Sequence, residues 1–292
     1  MTKVSKELLN FSIANALVEG AQRLHEAAVP EGRRDAGSLL AHVLGRDRTF
    51  LIAHADEAMR EEEFRSFRFL IERRARGEPM QYITGNQEFF KLSFAVTPAV
   101  LIPRPETELI VEIALRILRN EPEPYIVDIG TGSGCLVISL LHEISAARGL
   151  GTDVSLAALQ LAQRNAHRHG VKDRLALVGS DCFSAFQPNG SVHLMVSNPP
   201  YVSDEEMKNL QREVRYEPGG ALAGGPDGLS VIQRLLQGAR PFLHSGGHFV
   251  FEIGFGQSEA VEQIVDRRVW KLIEIRKDLQ GIPRTCVLQV KE

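Results

Sequence analysis

The chain has 292 residues, of which 43% are hydrophobic and 24% are charged, and its formal net charge is −3 at pH 7. This composition is ordinary for a globular protein with a sizeable core, so it excludes disordered, collagen-like and fibrous classes, and the length predicts two domains. So small a net charge gives no support for a chain-wide electrostatic grip on nucleic acid, although it leaves a local patch open.

Targeting and metal signals are weak. No run of about 18 apolar residues is present, which argues against a membrane span. The first ten residues, MTKVSKELLN, contain no apolar signal core and run into an amphipathic helix, so we expect a cytoplasmic protein. The three cysteines, Cys135, Cys182 and Cys286, are far apart and suggest neither disulfides nor a zinc site. The histidines form no ligand cluster, and we expect no metal.

Residues 1–78 have helical periodicity. Apolar residues recur every three or four positions, which predicts three helices with one buried face each. These residues are Leu9, Ile13, Leu17, Ala21 and Leu24, then Leu39, Leu40, Val43 and Leu44, then Phe64, Phe67, Leu70 and Ile71. The region contains 13 Lys/Arg and 13 Asp/Glu residues. A small neutral helical domain more often presents a protein-binding surface than a DNA-binding one.

Two further regions follow. Residues 79–104 predict a β-hairpin linker, with short strands at Gln81–Thr84, Glu88–Phe90 and Leu92–Val96 around a turn at Gly85-Asn86. From 105 to 292, apolar strands alternate with helices, which predicts an α/β domain with a mostly parallel sheet and helices on both faces. The predicted strands are Tyr125–Ile129, Arg148–Thr152, Leu175–Val178, His193–Ser197, His248–Ile253, Trp270–Ile275 and Thr285–Val290. The last two have no helix between them and are expected to pair antiparallel.

A glycine-rich turn follows the first strand of the α/β region. The strand Tyr125–Ile129, which contains Asp128, runs into Gly130-Thr131-Gly132-Ser133-Gly134, and a helix is predicted over Cys135–Ile144. The glycines permit a tight turn and let a ligand contact the backbone where a Cβ would intrude. Alone the motif is weak evidence, because a strand–helix turn without a ligand can have the same sequence.

Two acidic residues strengthen the cofactor interpretation. Asp153 ends the second strand, where a carboxylate can accept both hydroxyls of a ribose, and Asp181 follows the third, where it could accept an adenine amino hydrogen. Either could instead be a helix cap or a solvated loop residue. Because all three features end successive strands, together they favour a nucleotide-like cofactor. The glycine spacing argues against a dinucleotide and resembles the S-adenosylmethionine site of Rossmann-like methyltransferases.

The fourth strand ends in Asn198-Pro199-Pro200-Tyr201. The prolines restrict the backbone, so the Asn198 side-chain oxygen and the Pro199 carbonyl could together accept both hydrogens of a planar –NH2 group, while Tyr201 offers a ring face for stacking. Holding both N–H bonds would aim a weakly nucleophilic amide or exocyclic amine at a methyl donor. A proline-rich loop packed on the sheet is the structural alternative.

These motifs resemble a known group of enzymes. Asn-Pro-Pro-Tyr with this glycine loop is similar to amino-methyltransferases that modify adenine, cytosine or protein glutamine. Two further stretches, Ile102-Pro-Arg-Pro-Glu-Thr-Glu108 and Glu217-Pro-Gly-Gly-Ala-Leu-Ala-Gly-Gly-Pro-Asp-Gly-Leu229, resemble the protein-(glutamine-N5) methyltransferases. With the helical N-terminal region, the resemblance covers nearly the whole chain and is closest to the release factor glutamine methyltransferases (the PrmC/HemK group).

The resemblance implies S-adenosylmethionine as methyl donor and, as substrate, the glutamine of the Gly-Gly-Gln motif in class-one peptide chain release factors, docked partly by the helical domain. We expect a monomer with no direct nucleic-acid or membrane partner. The cofactor residues implied are Asp128, Gly130, Thr131, Gly132, Ser133, Gly134, Asp153, Asp181, Cys182 and Asn198. The catalytic and substrate-binding residues implied are Asn198, Pro199, Pro200 and Tyr201, with Arg104 and Glu106 facing the substrate.

Some assignments have two interpretations. Relatives commonly carry a large aromatic residue where this sequence has Cys182, so it stays open whether the Cys182 side chain or only its backbone contacts adenine. Pro105 with Glu106 and Glu108 also makes an ordinary helix start. The glycines between 219 and 228 fit a mobile lid or a long surface loop, and we favour the lid.

Three rival functions remain. A DNA adenine-N6 methyltransferase shares the amino-group chemistry, but it would be expected to carry a basic target-reading region. Glutamine methylation of a ribosomal protein by a sister enzyme is poorly separated by sequence. A release-factor-binding or ribosome-binding module without catalysis is disfavoured by the intact glycine loop and the intact Asn198–Tyr201 segment.

Overall fold

A computed structural model describes residues 12–185 and 187–291, so Leu9 of the predicted first helix lies outside the described residues. Contacts divide the chain into two units: residues up to Gly85 together with Arg212–Tyr216, and Asn86–Gln211 together with Glu217–Glu292. Among the described helices, none is long and apolar enough to span a membrane.

The first unit is helical. Its helices are α1 (Ile13–Glu26), α2 (Gly32–Leu44), α3 (Arg48–Ala53), α4 (Glu61–Ala75) and α5 (Met80–Thr84). The apolar periodicity predicted α1, α2 and α4, whose buried faces meet in one core that includes Leu24, Leu40 and Phe67. The short α3 was not predicted, because six residues are too few to show a helical period. Burial of these apolar faces is what stabilises helices of this length.

A short segment from later in the chain, Arg212–Tyr216, completes the first unit. Its Glu213 forms an ion pair with Arg74, which is only 5% exposed. Arg74 also donates from Nε to Asp35 Oδ2 at 2.7 Å. A buried guanidinium needs such partners, because its charge loses the solvation of water.

One strand prediction is wrong. Residues Gln81–Thr84 lie in helix α5, which begins after Pro79 and ends at Gly85 with φ +74°. Ile83 of this helix belongs to the helical core, so tertiary packing decides the conformation of a segment too short to have a period of its own. The hairpin that follows consists of β1 (Asn86–Phe89) and β2 (Leu92–Ala95), which pair antiparallel.

The second unit contains a seven-stranded sheet. Its strands are β3 (Tyr125–Ile129), β4 (Arg148–Asp153), β5 (Leu175–Gly179), β6 (Val192–Ser197), β9 (Leu243–Glu252), β10 (Trp270–Lys277) and β11 (Pro283–Val290). Their order in the sheet is β10-β11-β9-β6-β3-β4-β5. The helices are α6 (Glu108–Ile117), α7 (Cys135–Glu143), α8 (Leu156–Arg168), α9 (Asp204–Lys208), α10 (Ser230–Gly238) and α11 (Ser258–Ile264). Two very short strands, β7 (Val202–Ser203) and β8 (Ala223–Gly225), pair with each other and were not predicted.

Both faces of the sheet are covered. Along β3, Val127 and Ile129 belong to one apolar core, whereas Ile126 belongs to another that includes residues of α6 and α7, as the twofold alternation of a strand requires. Strands β3 to β6 and β9 run parallel, while β11 is antiparallel to both β9 and β10. The structure therefore confirms the predicted α/β fold and its antiparallel edge.

The strand order creates a crevice. Strands β4 and β5 extend the sheet on one side of β3, and β6 and β9 extend it on the other. In such open sheets ligands bind where the strand order reverses, beside the carboxyl ends of the two central strands. The glycine loop follows β3 and Asn198 follows β6, so the fold brings the two main sequence motifs to this crevice.

Candidate active site

The glycine loop between β3 and α7 has backbone conformations that favour glycine. Gly130, Gly132 and Gly134 have φ values of +72°, +55° and +82°, which L side chains rarely adopt. A Cβ at Gly134 would also lie 2.6 Å from Ile138 Cδ1, whereas at Gly130 and Gly132 no described atom comes within 4 Å of that position. The first two glycines are thus required by conformation, and their surroundings leave room for a ligand.

Asp128 lies buried at the base of this loop. Its Oδ2 accepts a hydrogen bond from the Thr131 hydroxyl at 2.7 Å, and its Oδ1 has no hydrogen-bond partner among the described residues. Burial raises the pKa of Asp128 to about 7, against the opposing effect of the Thr131 hydroxyl. The carboxyl group therefore holds the loop from beneath.

Asp153 connects the loop to the end of β4. Its Oδ2 accepts from the Gly132 N–H and its Oδ1 from the Ser155 N–H, both at 2.9 Å. Helix α8 is capped by the Ser155 hydroxyl, which accepts from the Ala158 N–H, so Asp153 is not the cap. A carboxylate oxygen has two acceptor positions, so both oxygens of Asp153 can accept further hydrogen bonds from a ligand.

Asp181 and Cys182 lie after β5. Asp181 Oδ2 is 2.7 Å from the guanidinium of Arg234 on α10, and this hydrogen bond lowers the pKa of Asp181. Cys182 has φ +51°, and burial raises the pKa of its thiol. The thiol is therefore neutral at pH 7, and Asp181 already has a protein partner that a ligand's amino group would have to share.

These elements surround a cavity of about 340 Å³, a size within the range of small-molecule sites. The residues proposed from the sequence that line it are Gly130, Thr131, Gly132, Ser133, Asp153, Asp181, Cys182, Asn198, Pro199 and Pro200. Those that do not line it are Asp128, Gly134, Tyr201, Arg104 and Glu106. Residues that follow β3, β4, β5 and β6 therefore meet at one cavity, and the other five residues proposed from the sequence lie outside its lining.

Asn198 has one satisfied and one unsatisfied polar atom. Its Nδ2 donates to Thr107 Oγ1 at 3.1 Å. Its Oδ1 is buried and has no hydrogen-bond partner among the described residues. Buried acceptors are rarely left unpaired, so this oxygen marks a position where a ligand donor would be favourable.

Tyr201 does not line the cavity, and its hydroxyl is bound within the protein. The hydroxyl donates to Glu252 Oε1 at 3.0 Å, and Glu252 Oε2 accepts from the Thr107 hydroxyl at 2.5 Å. Burial raises the pKa of Tyr201, and the neighbouring Glu252 charge acts in the same direction, so the phenol stays neutral. Burial also raises the pKa of Glu252, while the two hydroxyl donors lower it.

Arg104 connects the two signature stretches. Its guanidinium forms an ion pair with the buried carboxylate of Glu217 and donates to the Ile102 carbonyl at 3.1 Å. Glu217 also accepts from the Ile102 N–H at 3.0 Å, which fixes the start of the glycine-rich loop after it. Glu106 is partly exposed. Substrate contacts by Arg104 and Glu106, and lid motion of the loop, stay predictions.

Sequence reasoning missed three polar residues of this region. Thr107 lines the cavity, Arg234 lines it from α10, and Glu252 ends β9 behind Asn198. Thr107 falls within the recognised Ile102–Glu108 stretch, but an isolated threonine has no chemical signature. Glu252 lies within the predicted strand His248–Ile253 and is an acid among apolar residues, which was an available signal.

Comparisons with known proteins identify the family to which the chain belongs. The chain is 40% identical over 276 residues to the release factor glutamine methyltransferase of Nitratidesulfovibrio vulgaris, covering 94% of this chain and 93% of that protein. It is 42% identical over 264 residues to the enzyme of the same name from Geobacter sulfurreducens, covering 89% and 90%. The chain belongs to the release factor glutamine methyltransferase family. The predicted S-adenosylmethionine-dependent methyltransferase is thereby confirmed.

Two family models agree with this membership, and a solved structure shares the fold. Residues 15–85 match the PrmC N-terminal domain, and residues 108–217 match the methyltransferase small domain. The crystal structure of the hMettl16 catalytic domain with the MAT2A 3'UTR hairpin 6 aligns with a TM-score of 0.57 at 16% identity, covering 76% of this chain and 81% of that one. At that identity, the similarity shows the shared fold alone.

The cavity fits the methyl donor of the family. Space is open beside Gly130 and Gly132, where a Cβ would meet no described atom within 4 Å. Asp153 retains acceptor positions for ribose hydroxyls, and Asn198, whose oxygen has no partner among residues 12–185 and 187–291, lines the same cavity. The residue-by-residue cofactor contacts are proposals that rest on this arrangement.

Proposed function

We propose that this protein transfers a methyl group from S-adenosylmethionine to the side-chain amide nitrogen of the glutamine in the Gly-Gly-Gln motif of class-one peptide chain release factors. The observation that carries the proposal is the buried Oδ1 of Asn198, which has no hydrogen-bond partner in the described part of the chain and belongs to a residue that lines the glycine-loop cavity. A carboxamide –NH2 is a donor that satisfies this acceptor. Family membership supplies the substrate class, because the curated relatives are release factor glutamine methyltransferases.

The residues of the site would hold two reactants in contact. Asp153 and the N–H groups of the glycine loop would bind the ribose and the amino-acid end of the donor. S-adenosylmethionine supplies a methyl group on a positively charged sulfur, which a nitrogen lone pair can attack. Asn198 Oδ1 and the Pro199 carbonyl would accept the two amide hydrogens and so direct the lone pair toward that methyl group.

The same acceptors would stabilise the product as it forms. An amide nitrogen that gains a methyl group acquires positive charge, and carbonyl oxygens that already accept its hydrogens stabilise that charge. Pro199 and Pro200 lack N–H groups, so neither backbone position competes for these acceptors. No base is required before attack, because the proton can leave during or after methyl transfer.

A ribosomal protein glutamine would fit the same amide-binding geometry, and an adenine amino group would present the same two hydrogens. The family match favours the release factor over both. We also propose that the helical unit contributes to docking the factor, since residues 15–85 match the PrmC N-terminal domain.

The test uses purified protein with methyl-labelled S-adenosylmethionine. We expect label on a release factor, and none on the same factor with its Gly-Gly-Gln glutamine changed to alanine, nor on duplex DNA. Label on both forms of the factor would contradict the assigned site. Label on DNA would replace the proposal with adenine methylation, and label on a ribosomal protein alone would replace the substrate.

A further inference from the structure

Thr107, Glu252 and Tyr201 form a chain of hydrogen bonds with Asn198, and Thr107 and Glu252 of this chain are buried. Asn198 Nδ2 donates to Thr107 Oγ1 at 3.1 Å, and the Thr107 hydroxyl donates to Glu252 Oε2 at 2.5 Å. The Tyr201 hydroxyl donates to the other oxygen, Glu252 Oε1, at 3.0 Å. Thr107 and Glu252 are each 2% exposed, so water does not replace any of these partners.

The number of protons decides which end of the Asn198 amide faces Thr107. A threonine hydroxyl has one proton and two acceptor positions. Since the Thr107 hydroxyl donates its single proton to Glu252 Oε2 in the structure, its oxygen can only accept from Asn198, and only the –NH2 end of an amide can donate. The oxygen of Asn198 is therefore turned away from Thr107. If the amide were inverted, two acceptors would face each other without a proton.

We infer that Thr107 and Glu252 are positioning residues, which hold Asn198 with its oxygen toward the substrate amide. This inference rests on the proposed function, since it assigns the turned-away oxygen to the glutamine –NH2 group. A purely structural network would satisfy both ends of the amide. Here the buried Oδ1 has no partner among the described residues, and Asn198 lines the cavity.

The first test replaces the hydroxyl while keeping the shape. Thr107→Val removes both the acceptor for Asn198 and the donor to Glu252, and we expect kcat for methylation of a release factor to fall about 10- to 100-fold, as misplaced catalytic groups do. The dissociation constant for S-adenosylmethionine should change less than about twofold. Thr107→Ser keeps the hydroxyl and should retain kcat within about threefold.

The chain offers a matched control for this substitution. Thr285 is paired with Glu252 across β11 and β9, is fully buried, and its hydroxyl has no partner among the described residues. Thr285→Val therefore makes the same change beside the same carboxylate without touching the network. We expect its kcat to stay within about twofold of wild type. If Thr285→Val and Thr107→Val lose activity equally, the positioning role is refuted.

A second test needs no substrate. In protein labelled with ¹⁵N-asparagine, the side-chain –NH2 signal of Asn198 is identified by its absence from Asn198→Ala. We expect this signal to shift in Thr107→Val and to stay in place in Thr285→Val. In Glu252→Gln, the carboxamide can accept from only one of the two hydroxyls, so the Asn198 signal should split or broaden as the amide samples both orientations.

The two readouts separate the inference from the proposed function. If wild type fails to methylate the release factor, the proposed function fails, and the –NH2 signal still decides whether Thr107 and Glu252 orient Asn198. If wild type is active but Thr107→Val keeps its kcat, or the Asn198 signal is the same in all variants, the inference alone is overturned.

Discussion

Asp128 is fully buried beneath the glycine loop, and its ionisation should shape the pH dependence of stability. Burial raises its pKa from 3.8 to about 7 in the folded protein. Because the folded state holds the proton more tightly than the unfolded chain, its stability falls as pH rises from about 4 to about 7. Asp128→Asn cannot ionise, yet its side-chain oxygen can still accept from the Thr131 hydroxyl. The variant should lack this fall.

The expected size follows from the pKa. From pH 5 to the folded-state pKa of about 7, the free energy of unfolding of wild type falls over roughly two pH units. Each of these pH units corresponds to about 1.4 kcal/mol. Relative to wild type, Asp128→Asn should therefore gain about 2–3 kcal/mol between these two pH values. Any cost of the amide itself is the same at both pH values, so it cancels in the comparison.

Trp270 provides the assay. It is the single tryptophan of the chain, is 1% exposed, and lies in the same core as Val127, the neighbour of Asp128. Urea unfolding followed by its fluorescence at pH 5 and pH 8 gives the free energy of unfolding of this unit.

A half-exposed aspartate supplies the control. Hydrogen bonds from Arg268 lower the pKa of Asp266 to about 2, so its carboxylate is ionised in both states across this range. Asp266→Asn should therefore show the same offset from wild type at both pH values. If Asp128→Asn behaves in the same way, Asp128 does not carry a raised pKa and the argument from its burial is wrong.

Three further substitutions test the site and the helical unit. Asn198→Ala should lower turnover by about 100-fold or more, because the Asn198 oxygen is proposed to accept a hydrogen bond from the substrate amide. The dissociation constant for S-adenosylmethionine should change less than about threefold. Steady-state kinetics and calorimetry measure the two quantities. Asp153→Ala should weaken S-adenosylmethionine binding by about 10-fold or more and leave turnover at saturation nearly unchanged, since a charged acceptor for the ribose is lost; an unchanged dissociation constant would contradict its role. Arg74→Met should destabilise the helical unit by about 3–5 kcal/mol, because Asp35 and Glu213 lose their buried partner; thermal unfolding followed by circular dichroism measures it.

The sheet was predictable because each central strand is an apolar run ended by turn residues. Tyr125–Ile129 was predicted with the bounds that the structure gives, and β4, β5 and β6 differ by one residue each. Gln81–Thr84 was wrongly predicted as a strand, because the helix Met80–Thr84 has only five residues and no readable period, and Ile83 packs in the core of the first unit. Strands β7 and β8 have two and three residues, too few to predict from any sequence pattern.

The site residues were predictable where a functional motif comes directly after a predicted strand. The glycine loop, Asp153 and Asn198 follow β3, β4 and β6, and the parallel sheet brings such positions to one edge. The hydrogen bond between Thr107 and Glu252 joins residues 145 positions apart, so no local pattern reveals it.

The segment Arg212–Tyr216 has a consequence for synthesis on the ribosome. Chains are made from the amino terminus, and domains generally fold as units as they emerge. The helices of the first unit are complete by Thr84, yet Glu213, which pairs with Arg74, is added only after more than a hundred further residues. In the nascent helical unit, Arg74 therefore lacks one of its partners until the strands up to β6 of the catalytic sheet have been translated.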